Sequence, residues 1–293
     1  MQKKKKQVCI IKLDGLGDVL RTTSILWRFR DDDVSWVTEE AAFPLLRNIP
    51  FVKKIISISE ALTAKDFIFD ELYNFDEDLR ACQLARDARA ENKKGFNFKD
   101  GGFFPFDSDS EYAYALSRDD ELKFKLNKKT YQQIIFEMAG YKWEGQDYIL
   151  GYQPKGVIKY EVGINYLVGK KFPNKAWPHW KKLSGMLDSV CLQSEFKALE
   201  EYIDWIGSCR IIVTGDSLGM HIALALKKKV IILMGPTSWN EIETYKRAVI
   251  VKSELSCLPC YKKVKCNNAL FCMDLIVPEM VYSEIIKMRQ AGS

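Results

Sequence analysis

The first chemistry along the chain is a carboxylate at the end of a glycine loop. Asp14-Gly15-Leu16-Gly17-Asp18 follows directly on the apolar run V-C-I-I-K at 8–12. Gly15 and Gly17 allow a ligand to approach the backbone, and the amino end of a following helix favours anionic groups. Asp18 then carries two readings. It is the N-cap of that helix, worth about 1 kcal/mol, or it is a general base that takes a proton from a hydroxyl. The G-x-G-x-x-G spacing of a dinucleotide site is absent, which argues against a dehydrogenase or epimerase-like enzyme.

Three more polar turns occur in the second half. Residues 169–178 read G-K-K-F-P-N-K-A-W-P, and a lysine such as Lys175 neutralises a phosphate as a point charge or simply lies in a solvated basic loop. Residues 214–221 read T-G-D-S-L-G-M-H, where the N–H groups of Ser217 to Gly219 would point at an anion. In that turn Asp216 either caps a helix or accepts from sugar hydroxyls, and His221, one of two histidines, reads first as a packed or positioning residue. Gly235-Pro236-Thr237-Ser238 is a third turn of the same kind. In open α/β sheets, ligands bind outside the carboxyl ends of strands.

The elements that must position these residues alternate. The spacing predicts strands at 8–12, 34–38, 54–59 and 67–73, and helices at 18–30, 39–47, 76–90 and 127–139, with Gly140 closing the last. The glycine- and aromatic-rich stretch 94–106 reads as loop, and 148–160, with Gly151, Pro154 and Gly156, as linker. Alternation then resumes, with strands at 162–165, 190–192, 210–214, 229–234 and 248–252. Helices fall at 180–187, 198–206 and 218–226, and Pro278 opens a closing one. Strands alternating with helices imply α/β domains with parallel sheets.

The whole-chain numbers agree. At about 100–200 residues per domain, 293 residues predict two domains. The net charge of +5 rests largely on Lys3, Lys4, Lys5 and Lys6, a run expected to be a solvated arm or to touch anionic headgroups. No basic stripe stands out elsewhere, so a nucleic-acid partner is not expected. No apolar run is long enough to cross a membrane or to serve as a signal-peptide core, which predicts a cytoplasmic protein whose thiols stay reduced.

Together, G-L-G-D-V-L-R-T (15–22), K-A-W-P (175–178), D-S-L-G-M-H-I-A (216–223), G-P-T (235–237) and the cysteine string C-L-P-C-Y-K-K-V-K-C-N-N-A-L-F-C-M (257–273) resemble glycosyltransferase family 9, the heptosyltransferases of lipopolysaccharide core assembly. The resemblance implies a GT-B fold, two Rossmann-like domains whose sheets face a cleft. An acceptor-side domain would cover 1–152 and a donor-binding domain 153–293. It implies an inverting, metal-independent transfer of a sugar, typically from ADP-heptose, to a glycan or glycolipid acceptor at the inner membrane face. Asp18 would be the base, Lys175 would hold the donor phosphates, and Asp216, Ser217, Gly219, His221 and Thr237 would line the donor site. The interval 181–200 is short for the family, so a βα unit is expected to be missing or collapsed into 190–192. A non-catalytic binding or scaffold protein on a degenerate fold is the alternative.

Cys257, Cys260, Cys266 and Cys272 follow C-x2-C-x5-C-x5-C. Four thiolates so close could close a structural zinc site, hold an iron–sulfur cluster, or remain reduced thiols. Asp107-Ser108-Asp109 is a D-x-D but lies in a polar stretch, and a solvated turn is expected.

Overall fold

The computed structural model describes residues 4–13, 15–64, 66–264, 266 and 269–290. The chain divides into two compact units, Met1–Tyr152 and Gln153–Ser293.

The first unit runs β1 (Gln7–Ile11), α1 (Leu16–Thr22), β2 (Asp33–Thr38), α2 (Phe43–Leu46), β3 (Val52–Ser57), α3 (Ile58–Thr63), β4 (Ile68–Asn74), α4 (Leu79–Asp87), β5 (Arg89–Lys99), β6 (Gly102–Pro105), α5 (Glu111–Arg118) and α6 (Tyr131–Met138). Its sheet has the order β3-β2-β1-β4-β5-β6. β1 lies inside it, and Val8, Cys9, Ile10 and Ile11 are fully buried, as a parallel strand covered on both faces requires. The chain order reverses at β1, so the carboxyl ends of β1 and β4 flank a topological switch point.

Four local expectations are corrected here. Residues 94–106 are not loop: β5 pairs parallel with β4 up to Gly95 and then antiparallel with β6. Gly95 is the hinge, at φ +96°, and a Cβ there would lie 1.9 Å from the Asn74 carbonyl oxygen, a place only glycine can occupy. Secondly, Asp18 does not cap α1. Gly15 is the N-cap at φ 75° with Asp18 in the first turn, and Gly17 is helical rather than part of the loop. The helix also stops early. The hydroxyls of Thr22, Thr23 and Ser24 donate to the carbonyls of Asp18, Leu20 and Arg21, a competition that turns the helix into the 3-10 segment Thr23–Arg28. Finally, the lysine run is tied down at its end. Lys6 pairs with Glu71, and its N–H donates to Asp32; Lys3 and Asp14 lie outside the described residues.

The second unit runs β7 (Tyr160–Asn165), α7 (Trp180–Gly185), β8 (Val190–Leu192), α8 (Leu199–Gly207), β9 (Cys209–Gly215), α9 (Leu218–Ala225), β10 (Lys229–Met234), β11 (Ala248–Lys252) and α10 (Pro278–Gln290). Its parallel sheet has the order β11-β10-β9-β7-β8. Numbered from β7, this is the 2-1-3-4-5 arrangement, whose switch point falls between β7 and β9. The short interval 181–200 holds all of α7 but its first residue, the three-residue β8 at the sheet edge, and the connection into the start of α8. Val162, Ile164, Ile211, Val213, Ile231 and Leu233 join Ile276, Val281 and Ile285 in one buried cluster on the α10 side. Among the described residues no helix is long and apolar enough to cross a membrane.

Candidate functional site

Each unit gathers polar side chains at the switch point of its own sheet. In the first unit, Asp18 Oδ1 accepts from Arg21 Nε at 3.0 Å and pairs with Arg21 Nη2 at 2.9 Å. The Arg21 guanidinium lies 3.7 Å from the centre of the Tyr131 ring, a cation–π contact that fixes its plane. The Thr22 hydroxyl donates to the Asp18 carbonyl at 2.7 Å, so at 2.8 Å the Tyr131 hydroxyl donates to Thr22. Beside them Lys12, only 7% exposed, donates to Asp76 Oδ2 at 3.0 Å, and the Leu13 N–H donates to the same oxygen at 2.9 Å. Burial works against the Lys12 ammonium, but Tyr131, Asp76 and Asp18 face it and hold its pKa above the ordinary value.

The sequence pointed to Gly15, Gly17 and Asp18 and missed Lys12, Arg21, Asp76 and Tyr131. The missed signal was position: Lys12 follows the end of β1 and Asp76 the end of β4, where polar residues border a switch point.

In the second unit, Lys175 sits at the end of the 3-10 turn Pro173–Lys175. That turn is anchored by Asn174, whose Nδ2 donates to the Lys262 carbonyl at 2.7 Å, and Trp177 Nε1 donates to the Ile276 carbonyl at 2.7 Å. Lys175 Nζ donates to Asp216 Oδ2 at 2.7 Å and to the Asp216 carbonyl at 3.0 Å. Burial pushes the Asp216 carboxyl up, but Lys175, His221 and Thr237 more than offset this and hold it below the ordinary value. His221 is 5% exposed and packs within α9. Asn165, the last residue of β7, ties the turn together: its Nδ2 donates to Thr214 Oγ1 and to Ser217 Oγ, and its Oδ1 accepts from the Tyr202 hydroxyl. Gly219 packs against this network. A Cβ there would lie 2.2 Å from Tyr202 Oη and 2.5 Å from Asn165 Nδ2.

A narrow crevice with room for about 20 Å³ opens beside this network, on the order of one water; Gly219, His221 and Thr237 do not line it. Lys175, Asp216 and Ser217 border it together with Asn165, Trp177 and Met273. Thr237 is buried next to Asp216, and the hydroxyls of Thr237 and Ser238 make no full hydrogen bond. Thr237 reaches only the Asp216 carboxylate, and the buried Ser238 hydroxyl, without a partner among the described residues, calls for an explanation.

Cys257 is exposed, Cys260 and Cys266 are half-buried and Cys272 is buried. Burial and the neighbouring Cys260, Cys266 and Cys257 push the Cys272 thiol up to about 11. Among the described residues no group of three or more His, Cys, Asp or Glu is placed to hold a metal ion. The four thiols stand within electrostatic reach of one another. Asp107 accepts from the Ser110 N–H and Asp109 pairs with Lys94, so the D-x-D is a capped turn.

Two α/β units with these sheets define the GT-B class. The fold is similar to a glycosyl transferase family 9 protein from Veillonella parvula (TM-score 0.67, 16% identity, 97% of each chain covered). It is equally similar to E. coli ADP-heptose lps heptosyltransferase II (TM-score 0.67, 16% identity, 98% of this chain and 100% of that one). Residues 197–270 match the family model described as glycosyltransferase family 9 (heptosyltransferase), so the resemblance drawn from the motifs is borne out. That stretch holds Asp216, Ser217, Gly219, His221 and Thr237, whereas Asp18 and Lys175 lie outside it. Two proteins of Campylobacter jejuni, both called lipooligosaccharide heptosyltransferase 2, are 28% and 26% identical over 117 and 113 residues. The matches span only 36% and 34% of those relatives' length.

Proposed function

We propose that the chain is a glycosyltransferase that moves a sugar from a nucleotide-sugar donor to a hydroxyl of a cell-envelope glycan. The observation that carries this reading is the meeting of Lys175, the Asp216–Gly219 turn and the buried hydroxyls of Thr237 and Ser238 at one end of one sheet. A diphosphate would compete with Asp216 for the ammonium and offer acceptors to the N–H groups and hydroxyls. The pair Lys175–Asp216 must part or shift for a nucleotide to enter, since the crevice is narrow.

In the reaction the acceptor oxygen attacks the anomeric carbon, the bond from that carbon to the phosphate oxygen breaks, and the nucleoside diphosphate leaves. The hydroxyl proton passes to the Asp18 carboxylate, which Arg21 orients. One displacement inverts the anomeric centre. Lys175 and the N–H groups at the start of α9 meet the charge that grows on the leaving group, a task that asks for no cofactor from the protein. The names of the relatives favour a heptose carried by ADP and a lipooligosaccharide-type acceptor, which would place the chain in the cytoplasm with peripheral contact to the inner membrane.

Transfer or hydrolysis of ADP-heptose by the purified chain tests this. Asp18→Asn is expected to retain the fold and lose transfer by at least about a hundredfold. Full activity in Asp18→Asn would remove Asp18 as base. A chain that neither binds nor consumes any nucleotide sugar would be the scaffold protein that the short interval 181–200 also suggests.

A further inference from the structure

At the amino-terminal edge of the second sheet lies a hollow of about 530 Å³. It is lined by Arg210 before the core of β9, Lys227, Lys228 and Lys229 at the start of β10, Arg289 of α10, and one carboxylate, Glu161 of β7. The Lys175 crevice is at the other ends of the same strands. With β7 running from Tyr160 to Asn165, the two are roughly 17 Å apart at about 3.3 Å per residue.

Two of the five cations have structural work. Lys228 donates to the Gly207 carbonyl at 2.6 Å and Lys229 to the Met288 carbonyl, satisfying carbonyls at the ends of α8 and α10. The other three do not. Among the described residues Arg210 and Arg289 pair only with Glu161, at 3.6 and 3.8 Å, too long for the bidentate pairing guanidiniums favour. The buried Nε of Arg289 makes no hydrogen bond. Lys227 is exposed and has no acidic partner among the described residues. Burial pushes the Lys228 ammonium below its ordinary value, Cys209 opposes this and the charge of Arg210 adds a smaller push in the same direction as burial. A concave site lined by one sign of charge concentrates anions. The rim adds Val157 and Ile158, 74% and 45% exposed, flanked by Lys155 and Lys159.

We propose that this hollow binds a phosphate group, free or carried on a lipid headgroup, at the edge of the sheet opposite the Lys175 crevice. Two guanidiniums and an ammonium match the oxygens of one phosphate, and the exposed Val157 and Ile158 suit the lipid-borne form. The site does not depend on the proposed transfer reaction.

The test uses the full chain and two probes: calorimetric titration with inorganic pyrophosphate, and co-sedimentation with phosphatidylcholine vesicles with and without phosphatidylglycerol. At least one probe is expected to bind. Arg210→Gln/Lys227→Gln, two exposed positions, should weaken pyrophosphate at least about tenfold or partition to anionic vesicles about thirtyfold. Glu161→Gln should tighten whichever binds, and the loss in Arg210→Gln/Lys227→Gln should persist in a Lys175→Met background, where the diphosphate crevice has lost its ammonium, which separates this site from the transferase reading. Binding to pyrophosphate alone identifies a free phosphate site; binding to phosphatidylglycerol vesicles alone, a headgroup site. The proposal is overturned when neither probe binds, or when Arg210→Gln/Lys227→Gln binds like the parent because other charges, such as the lysine run at the amino end, carry the interaction.

Discussion

Removing Lys175 while leaving Asp216 in place tests the electrostatics of the second-unit crevice without any substrate. The two side chains are 20% and 23% exposed and 2.7 Å apart. An exposed pair of this kind contributes about 0–1 kcal/mol, and breaking a fully buried one costs about 3–5 kcal/mol. This pair stands between them, so Lys175→Met should destabilise the second unit by about 2 kcal/mol, or about 4–8 °C in Tm. Next comes the pH dependence. With Lys175 present the folded carboxyl lies below its ordinary value of 3.8, so the pair's stabilisation is present above that pH and fades as pH falls through the folded value. Without Lys175, burial remains the leading influence and raises the carboxyl, so the variant's deficit is largest at neutral pH and shrinks on acidification. Lys175→Met/Asp216→Asn should recover much of the loss, since no charge is left stranded. Thermal melts of the three proteins from pH 3 to 8 decide the matter. A Lys175→Met melting curve within about 1 °C of the parent at pH 7, or a deficit that acid does not reduce, would refute the reasoning.

Other expectations concern packing and thiols. Gly219→Ala forces a methyl onto Tyr202 Oη and Asn165 Nδ2 and should cost about 1–3 kcal/mol in denaturant titration; Tyr202→Phe in the same chain should return part of it by removing the hydroxyl. Gly95→Ala meets backbone rather than a side chain, so no second-site change should rescue it, and the first unit should lose cooperative unfolding. A thiol reagent at pH 7 should label exposed Cys257 first and leave Cys9, whose thiol burial pushes far up, unlabelled until the chain unfolds.

Much of the architecture was legible because it rests on short-range patterns. β1, β9 and β10 are nearly continuous apolar runs ending in polar turns, which reads directly as parallel strands feeding helices. β5 was not legible: its A-E-N-K-K-G-F-N-F-K character reflects a strand at the margin of the sheet, half-solvated and bent at Gly95, whose need for glycine arises from Asn74, 21 positions away in the chain. The local place of Asp18 was not legible, since nothing in its spacing reveals that Gly15 adopts a left-handed φ and takes the cap. Lys175 and Asp216 could each be picked out, but their pairing across 41 residues could not. The basic hollow escaped for the same reason: Arg210, Lys227 and Arg289 become neighbours only once β7, β9, β10 and α10 have assembled.

The short strand β8 has one more consequence. It offers β7 only three residue pairs, Val162 with Val190, Gly163 with Cys191 and Ile164 with Leu192. A foreign strand laid along β8 would gain a rung or two of hydrogen bonding before it ran off the end. A margin this brief is a poor seed for chain-to-chain sheet growth along β8.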